Sequence, residues 1–170
     1  MHRDEIEDHL RQVGGYLDEQ GLTGELLVLG GAYMTLVLQQ RETTRDVDAY
    51  FAANAAAIRE AAARVAHEHG LPADWLNDAV KGFMYTQPET TQWLECPGLR
   101  VYAPVPAYIF AMKALAGRPE DLRDLRTLKA VLDLSSAAEA LEIATRYVPA
   151  SLLTPRVQYL IEDLFDEAES

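Results

Sequence analysis

Two aspartates separated by one residue, in the run Asp46-Val47-Asp48-Ala49-Tyr50-Phe51, have the types and spacing to do chemistry. A strand's period of two puts both carboxylates on one face. Two carboxylates on one rigid face bind a divalent cation. Ahead of them stand Gly30-Gly31 and then Arg41-Glu42-Thr43-Thr44-Arg45. A glycine pair opening a helix leaves the first backbone N–H groups facing outward on residues with no side chain, which makes a cradle for an anion. Cradle, basic linker and paired carboxylates fall within the 19 residues from Gly30 to Asp48. Together they are the parts that metal-assisted chemistry on a nucleoside triphosphate requires. Each alone is ordinary: Gly-Gly usually marks a turn, and Asp-x-Asp a solvated strand edge or the start of a loop.

Two strands and a helix must hold these parts. Leu26-Leu27-Val28-Leu29 is a continuous apolar run, the pattern of a strand buried on both faces, and it stops at Gly30. Ala32, Tyr33, Leu36, Val37 and Gln40 recur at helical spacing, which predicts a helix through Gln40. Residues 46–51 then form the second strand.

These residues resemble a known family. Gly30-Gly31, Arg41 or Arg45, Thr44 and Asp46-x-Asp48 look like the signature of the nucleotidyltransferase (polymerase-beta-like) superfamily. Within it the likeness is to the small bacterial proteins of the AbiEii and MenT kind, the nucleotidyltransferase-like toxins of toxin–antitoxin pairs. That group's pattern continues with a lysine and Arg-x-x-Asp-x-x-Asp, here Lys113, Arg118, Asp121 and Asp124. The resemblance implies an α/β fold, a mixed sheet with flanking helices, followed by a helical C-terminal half. It also implies Mg²⁺ held by Asp46 and Asp48, phosphates held by Gly30, Gly31 and Arg41 or Arg45, and Lys113 and Asp124 as further catalytic residues. A nucleoside triphosphate would be the donor, and the likeness leans towards tRNA 3′ ends as acceptor and a cognate antitoxin protein as partner. Ala32 departs from the pattern, because many members of the superfamily carry Gly-Ser there. Without that hydroxyl the backbone amides remain to meet the triphosphate. The wider superfamily often has a third carboxylate on a strand beside the Asp-x-Asp strand. Glu95 is the acidic residue available for that place, although its position next to a turn also suits simple solvation.

Composition bounds these readings. The 170 residues suffice for one compact unit, expected as an α/β half over residues 1–103 with a helical half over 104–170 packed on it. No apolar run approaches a membrane span of roughly 18 residues, and the first residues are not a signal peptide, so a cytoplasmic protein is expected. Cys96, the single cysteine, has no partner for an internal disulfide or a zinc pattern. The net charge of −12 argues against sequence-blind affinity for nucleic acid. A polynucleotide substrate would need a local basic patch, for which Lys113, Arg118, Arg123, Arg126 and Lys129 are candidates. The same residues could simply pair with Glu120, Asp121 and Asp124 on a solvated helix face.

The rest of the chain supplies scaffolding. Ile6, Leu10, Val13 and Leu17 form the stripe of a helix over residues 2–20, in which Gly14-Gly15 predicts a kink or close packing. Asn54 and Gly70 bracket a second long helix, whose His67 and His69 point in different directions. Residues 71–78 read as a short turn or helix around a core Trp75. Strands are expected at 82–86, 91–95 and 99–102, the last two joined at Cys96-Pro97-Gly98. Helices are expected at 107–117, from Pro119 to about Leu134 with Leu122, Leu125, Leu128 and Leu132 as its core face, after the capping pattern Ser136-Ala137-Ala138-Glu139, and from Thr154-Pro155. An acidic end closes the chain at Glu162–Glu169. Three functions compete for this pattern: an enzyme transferring a nucleotide to RNA or protein, a silent nucleotide-binding or sensing module, and an interaction protein with an acidic surface.

Overall fold

A computed structural model describes residues 1–166, and the chain forms two compact units. The first comprises Met1–Phe83 and Thr90–Pro104, and the second Met84–Glu89 and the chain from Val105 onward. The first unit is mixed α/β and the second is helical. Among the described residues no helix is long and apolar enough to cross a membrane.

The first unit is a five-stranded mixed sheet with helices. Its strands β1 (Gly24–Val28), β2 (Val47–Ala53), β3 (Leu76–Asn77), β4 (Thr90–Cys96) and β5 (Leu99–Pro104) lie in the order β3-β2-β1-β5-β4. β1 runs antiparallel to β2 and parallel to β5, β2 is parallel to β3, and β4 is antiparallel to β5. Helices α1 (Arg3–Asp18) and α3 (Ala55–His69) pack on one face. A Cβ on Gly24 of β1 would meet Leu17 of α1 and Ile58 of α3 at 2.7 and 2.9 Å, so glycine lets both helices close on the strand. Gly14 does the same for the hairpin. α1 runs through it, and a Cβ there would lie 2.6 Å from the Pro97 carbonyl, so the glycine pair serves close packing. Trp75 is fully buried and its Nε1–H donates to the Ala62 carbonyl at 3.0 Å.

Three expectations for this unit fail. α2 covers only Gly30–Leu36 and does not reach Gln40. Its end is closed by the Val37 and Leu38 N–H groups, both donating to the Tyr33 carbonyl, and the chain then turns through Gln39 at φ 54°. Gln40 is exposed and belongs to no buried stripe. The strand expected at 82–86 is not formed: Ala79–Phe83 is a 3₁₀ turn beside β2, Phe83 and Tyr85 are exposed, and among the described residues this segment pairs with no strand. β2 instead takes a neighbour from 71–78, where Leu76 and Asn77 pair with Val47 and Asp48.

The second unit is helical. Its helices are α4 (Pro106–Ala116), α5 (Leu122–Val131), α6 (Ala137–Tyr147) and α7 (Pro155–Asp166), and α4 touches each of the other three. Gly117 ends α4 in the left-handed region at φ 57°. Pro119 opens a 3₁₀ turn (Pro119–Asp121), not α5 itself. α5 ends before Leu134 because Asp133 adopts φ 51° and the Leu134 N–H returns to the Lys129 carbonyl, a Schellman-type cap. Leu125 and Leu128 are buried, whereas Leu122 and Leu132 are half-buried. The Ser136 hydroxyl caps α6 by accepting from the Glu139 N–H. Glu167 and Glu169 of the expected acidic end lie outside the described residues.

Candidate metal and phosphate site

The site in the first unit is built where β1 ends beside the start of β2. The Leu29 N–H donates to the Asp48 carbonyl at 2.8 Å, which fixes the register of the two strands at that level. Gly30 follows in the left-handed region, φ 59°, and a Cβ on it would lie 2.7 Å from Asp48 Oδ2. Glycine is therefore required twice over, by its backbone angle and by the carboxylate seated against it. A Cβ on Gly31 would meet Thr44 Oγ1 at 3.3 Å and an Arg41 guanidinium nitrogen at 3.5 Å. Asp48, Thr44 and Arg41 thus converge on the glycine pair.

Local bonding holds the loop in that arrangement. Thr44 is buried, and its hydroxyl donates to the Asp46 carbonyl at 3.0 Å, pinning the residue just ahead of β2. Val47 and Ala49 are fully buried, so the alternation of the strand turns Asp48 to the opposite face, where it is half-exposed like Asp46. The Tyr33 N–H closes the first turn of α2 on the Leu29 carbonyl. The N–H groups of Gly30, Gly31 and Ala32 precede it and have no acceptor within their own helix. Burial pushes Tyr33 up to about 12, so it stays neutral behind the turn.

The basic residues of the linker divide. Arg41 is the one beside Gly31, whereas Arg45 is exposed at a bend. Asn77, which nothing in the sequence singled out, is the β3 neighbour of Asp48. Its side-chain oxygen accepts from the Ala79 N–H at 3.1 Å.

Glu95 is not a third ligand. The register aligns it with Arg100 and, through Arg100, with Glu25. Arg100 reaches Glu25 at 3.3 Å and Glu95 at 3.6 Å. Glu25 stands four residues before Leu29, roughly 13 Å back along the strand, so Glu95 lies towards the other end of the sheet. Among the described residues no group of three or more His, Cys, Asp or Glu side chains is arranged to hold a metal. A two-carboxylate set still suits Mg²⁺, which keeps several waters and takes one or two carboxylates together with substrate phosphates. The seat that Gly30 leaves for the Asp48 carboxylate fits that use.

In the second unit Lys113, Asp121 and Asp124 form one buried cluster. Lys113 Nζ lies 2.6 Å from Asp121 Oδ1 and 2.7 Å from Asp124 Oδ2. The three residues are 7, 7 and 1% exposed. Asp121 and Asp124 meet at one point, and that point is the Lys113 ammonium. One expectation changes as a result: Lys113 is inside the unit, held by Asp121 and Asp124, and not on a solvated helix face. The basic patch contracts as well: the Lys129 ammonium donates to the Leu164 carbonyl at 2.7 Å and sits over the Phe165 ring, leaving Arg118, Arg123 and Arg126 as its exposed members.

No curated protein matches the chain, and no solved structure does. The family described as nucleotidyltransferase of unknown function (DUF6036) matches residues 5–147, a span that contains the Gly30–Asp48 site and the Lys113–Asp124 cluster. By that match over most of its length, the chain belongs to this family of nucleotidyltransferases.

Proposed function

We propose that the protein is a Mg²⁺-dependent enzyme that moves a nucleotide from a nucleoside triphosphate to an acceptor hydroxyl. The observation that carries this reading is the Asp48 carboxylate seated 2.7 Å from where a Gly30 side chain would begin, with Arg41 and Thr44 against Gly31. A carboxylate and a guanidinium then lie against the glycine pair at the start of α2.

In this reading Asp46 and Asp48 hold the metal, which when bound neutralises charge on the triphosphate and lowers the pKa of the attacking hydroxyl. The amides of Gly30 and Gly31 orient phosphate oxygens, and Arg41, joined by Arg45 once substrate is present, balances the charge of the leaving group. The acceptor oxygen forms a bond to the α-phosphorus as the bond to pyrophosphate breaks. Pyrophosphate carries away the electron pair, and the hydroxyl proton passes to a carboxylate or to water. Lys113 and Asp124 enter this proposal through the resemblance. Their burial gives them a structural role besides, and comparing activity with stability separates the two.

The likeness to the AbiEii and MenT kind supports a finer proposal: a cytoplasmic toxin with a cognate antitoxin, acting on the 3′ end of tRNA. Incubating the purified protein with each labelled nucleoside triphosphate, Mg²⁺ and total cellular RNA or protein tests it. Label in RNA that depends on Mg²⁺ supports the proposal, and label in protein moves the acceptor to a Ser, Thr or Tyr hydroxyl. Binding of Mg-nucleotide with no transfer to either would make the protein a silent nucleotide-binding module.

A further inference from the structure

The sheet face that carries Asp48 also carries two tyrosines at one level. Val47, Ala49 and Phe51 of β2 are buried on the face where α1 and α3 pack, so Asp48 and Tyr50 share the other face. Strand pairing carries that face across the sheet: Tyr50 is opposite Leu27 of β1, and Leu27 is opposite Tyr102 of β5. Tyr50 and Tyr102, both half-buried, therefore flank a Leu27 that is only 6% exposed. Two strand spacings separate them, about 10 Å, and Tyr50 is about 7 Å along its strand from Asp48.

In-line displacement decides which part of a substrate meets this row. The attacking oxygen and the leaving pyrophosphate lie on opposite sides of the reacting phosphorus. Gly30 and Gly31, with Arg41 and Thr44 against them, stand past the end of β1 on one side of Asp48. Tyr50, Leu27 and Tyr102 stand on the other side, towards the middle of the sheet. With departing phosphates in the glycine cradle, the acceptor hydroxyl enters over the tyrosines.

We infer that Tyr50 and Tyr102 form a stacking ledge for the unpaired terminal bases of a single-stranded RNA acceptor. The direction of attack rests on the proposed function, whereas the ledge itself needs no metal. A flat aromatic surface suits nucleobases because each base has a π-face, and such stacking tolerates any sequence. A chain of net charge −12 has little capacity for broad phosphate neutralisation, so contacts to bases must supply much of its hold on an RNA end.

The test is an NMR titration of the full chain, labelled at tyrosine, with a single-stranded RNA trinucleotide in EDTA. The expected result is ring-current shifts at Tyr50 and Tyr102 and none at Tyr159, which is 66% exposed on α7. Tyr50→Ala and Tyr102→Ala should each weaken binding about 5- to 150-fold, the range for losing one base–aromatic stack, and the Phe replacements should restore it. The shifts in the parent chain carry the test should an Ala variant fold poorly. Shifts in EDTA without any transfer after Mg²⁺ and nucleotide are added would support the ledge and sink the proposed enzyme. Calorimetric binding of Mg-nucleotide with both rings unmoved by RNA would overturn the ledge and leave the enzyme standing. A Gly-Ser peptide that shifts the rings where RNA does not also overturns the ledge, and points to a protein acceptor.

Discussion

Replacing Gly30 by alanine perturbs the site by one methyl group, and the structure supplies its own ruler for the effect. Two costs add. The first is backbone strain at φ 59°, about 1–2 kcal/mol for a residue with a Cβ in the left-handed region. The second is the 2.7 Å approach of that Cβ to Asp48 Oδ2, which forces the carboxylate off its rotamer at about 0.5–1.5 kcal/mol. Gly21 has φ 68° and nothing within 4 Å of a built Cβ, so Gly21→Ala measures the strain alone. Urea denaturation should therefore show Gly30→Ala costing about 2–3 kcal/mol against about 1–2 for Gly21→Ala, with unchanged m values. In an Asp48→Ala background the difference should vanish, a coupling of about 1 kcal/mol in the double-mutant cycle. Because the displaced group is the proposed metal ligand, Gly30→Ala should also lose Mg-nucleotide binding while Gly21→Ala keeps it. If Gly30→Ala costs no more than Gly21→Ala and binds Mg-nucleotide like the parent, the seating of Asp48 has no functional content.

Lys113→Ala leaves two carboxylates buried without their cation and should cost about 3–5 kcal/mol in denaturant unfolding; a loss under 1 kcal/mol would contradict the buried cluster. Asp121→Asn and Asp124→Asn should destabilise by similar amounts to each other, and a much larger loss of transfer for Asp124→Asn alone would assign it to the chemistry. His9 is held below its ordinary pKa, first by burial and then by the neighbouring His69, with Glu5 and Asp8 opposing. The folded chain then takes up fewer protons there than the unfolded one, so stability falls as pH drops through the unfolded value near 6.5. Urea midpoints at pH 7.5 and 5.5 should differ less in His9→Gln than in the parent. Arg123→Glu with Arg126→Glu should reduce transfer to tRNA far more than binding of free Mg-nucleotide, measured side by side at several salt concentrations.

Much of the scaffold could be read from local pattern. The apolar run Leu26–Leu29, the break at Gly30 and the punctuation at Pro97-Gly98 each mark structure by a rule that acts within a few residues. The failures share a cause at longer range. β3 is two residues long and exists because the edge of β2 accepts Leu76 and Asn77, so no alternation could reveal it. Residues 82–86 have strand-like composition but find no strand to pair with. Gln40 continues a helical period that ends in space where the chain turns through Gln39. In the site, the close approach of Gly30 to Asp48 follows from the register of β1 on β2, whereas the glycines and aspartates themselves were plain. The burial of Lys113 could not be seen because it depends on two carboxylates eight and eleven residues away arriving together. Tyr50 and Tyr102 share a level only through the pairing of three strands, which is likewise absent from a single sequence.

The most direct test of the central claim is isothermal calorimetry of Mg-nucleotide binding to the parent and to the Asp46→Asn, Asp48→Asn double variant. The parent should bind only with Mg²⁺ present. The double variant should give no binding heat while melting at the same or a slightly higher temperature, because two like charges no longer face each other. A double variant that binds Mg-nucleotide as the parent does would contradict the assignment of the metal to Asp46 and Asp48.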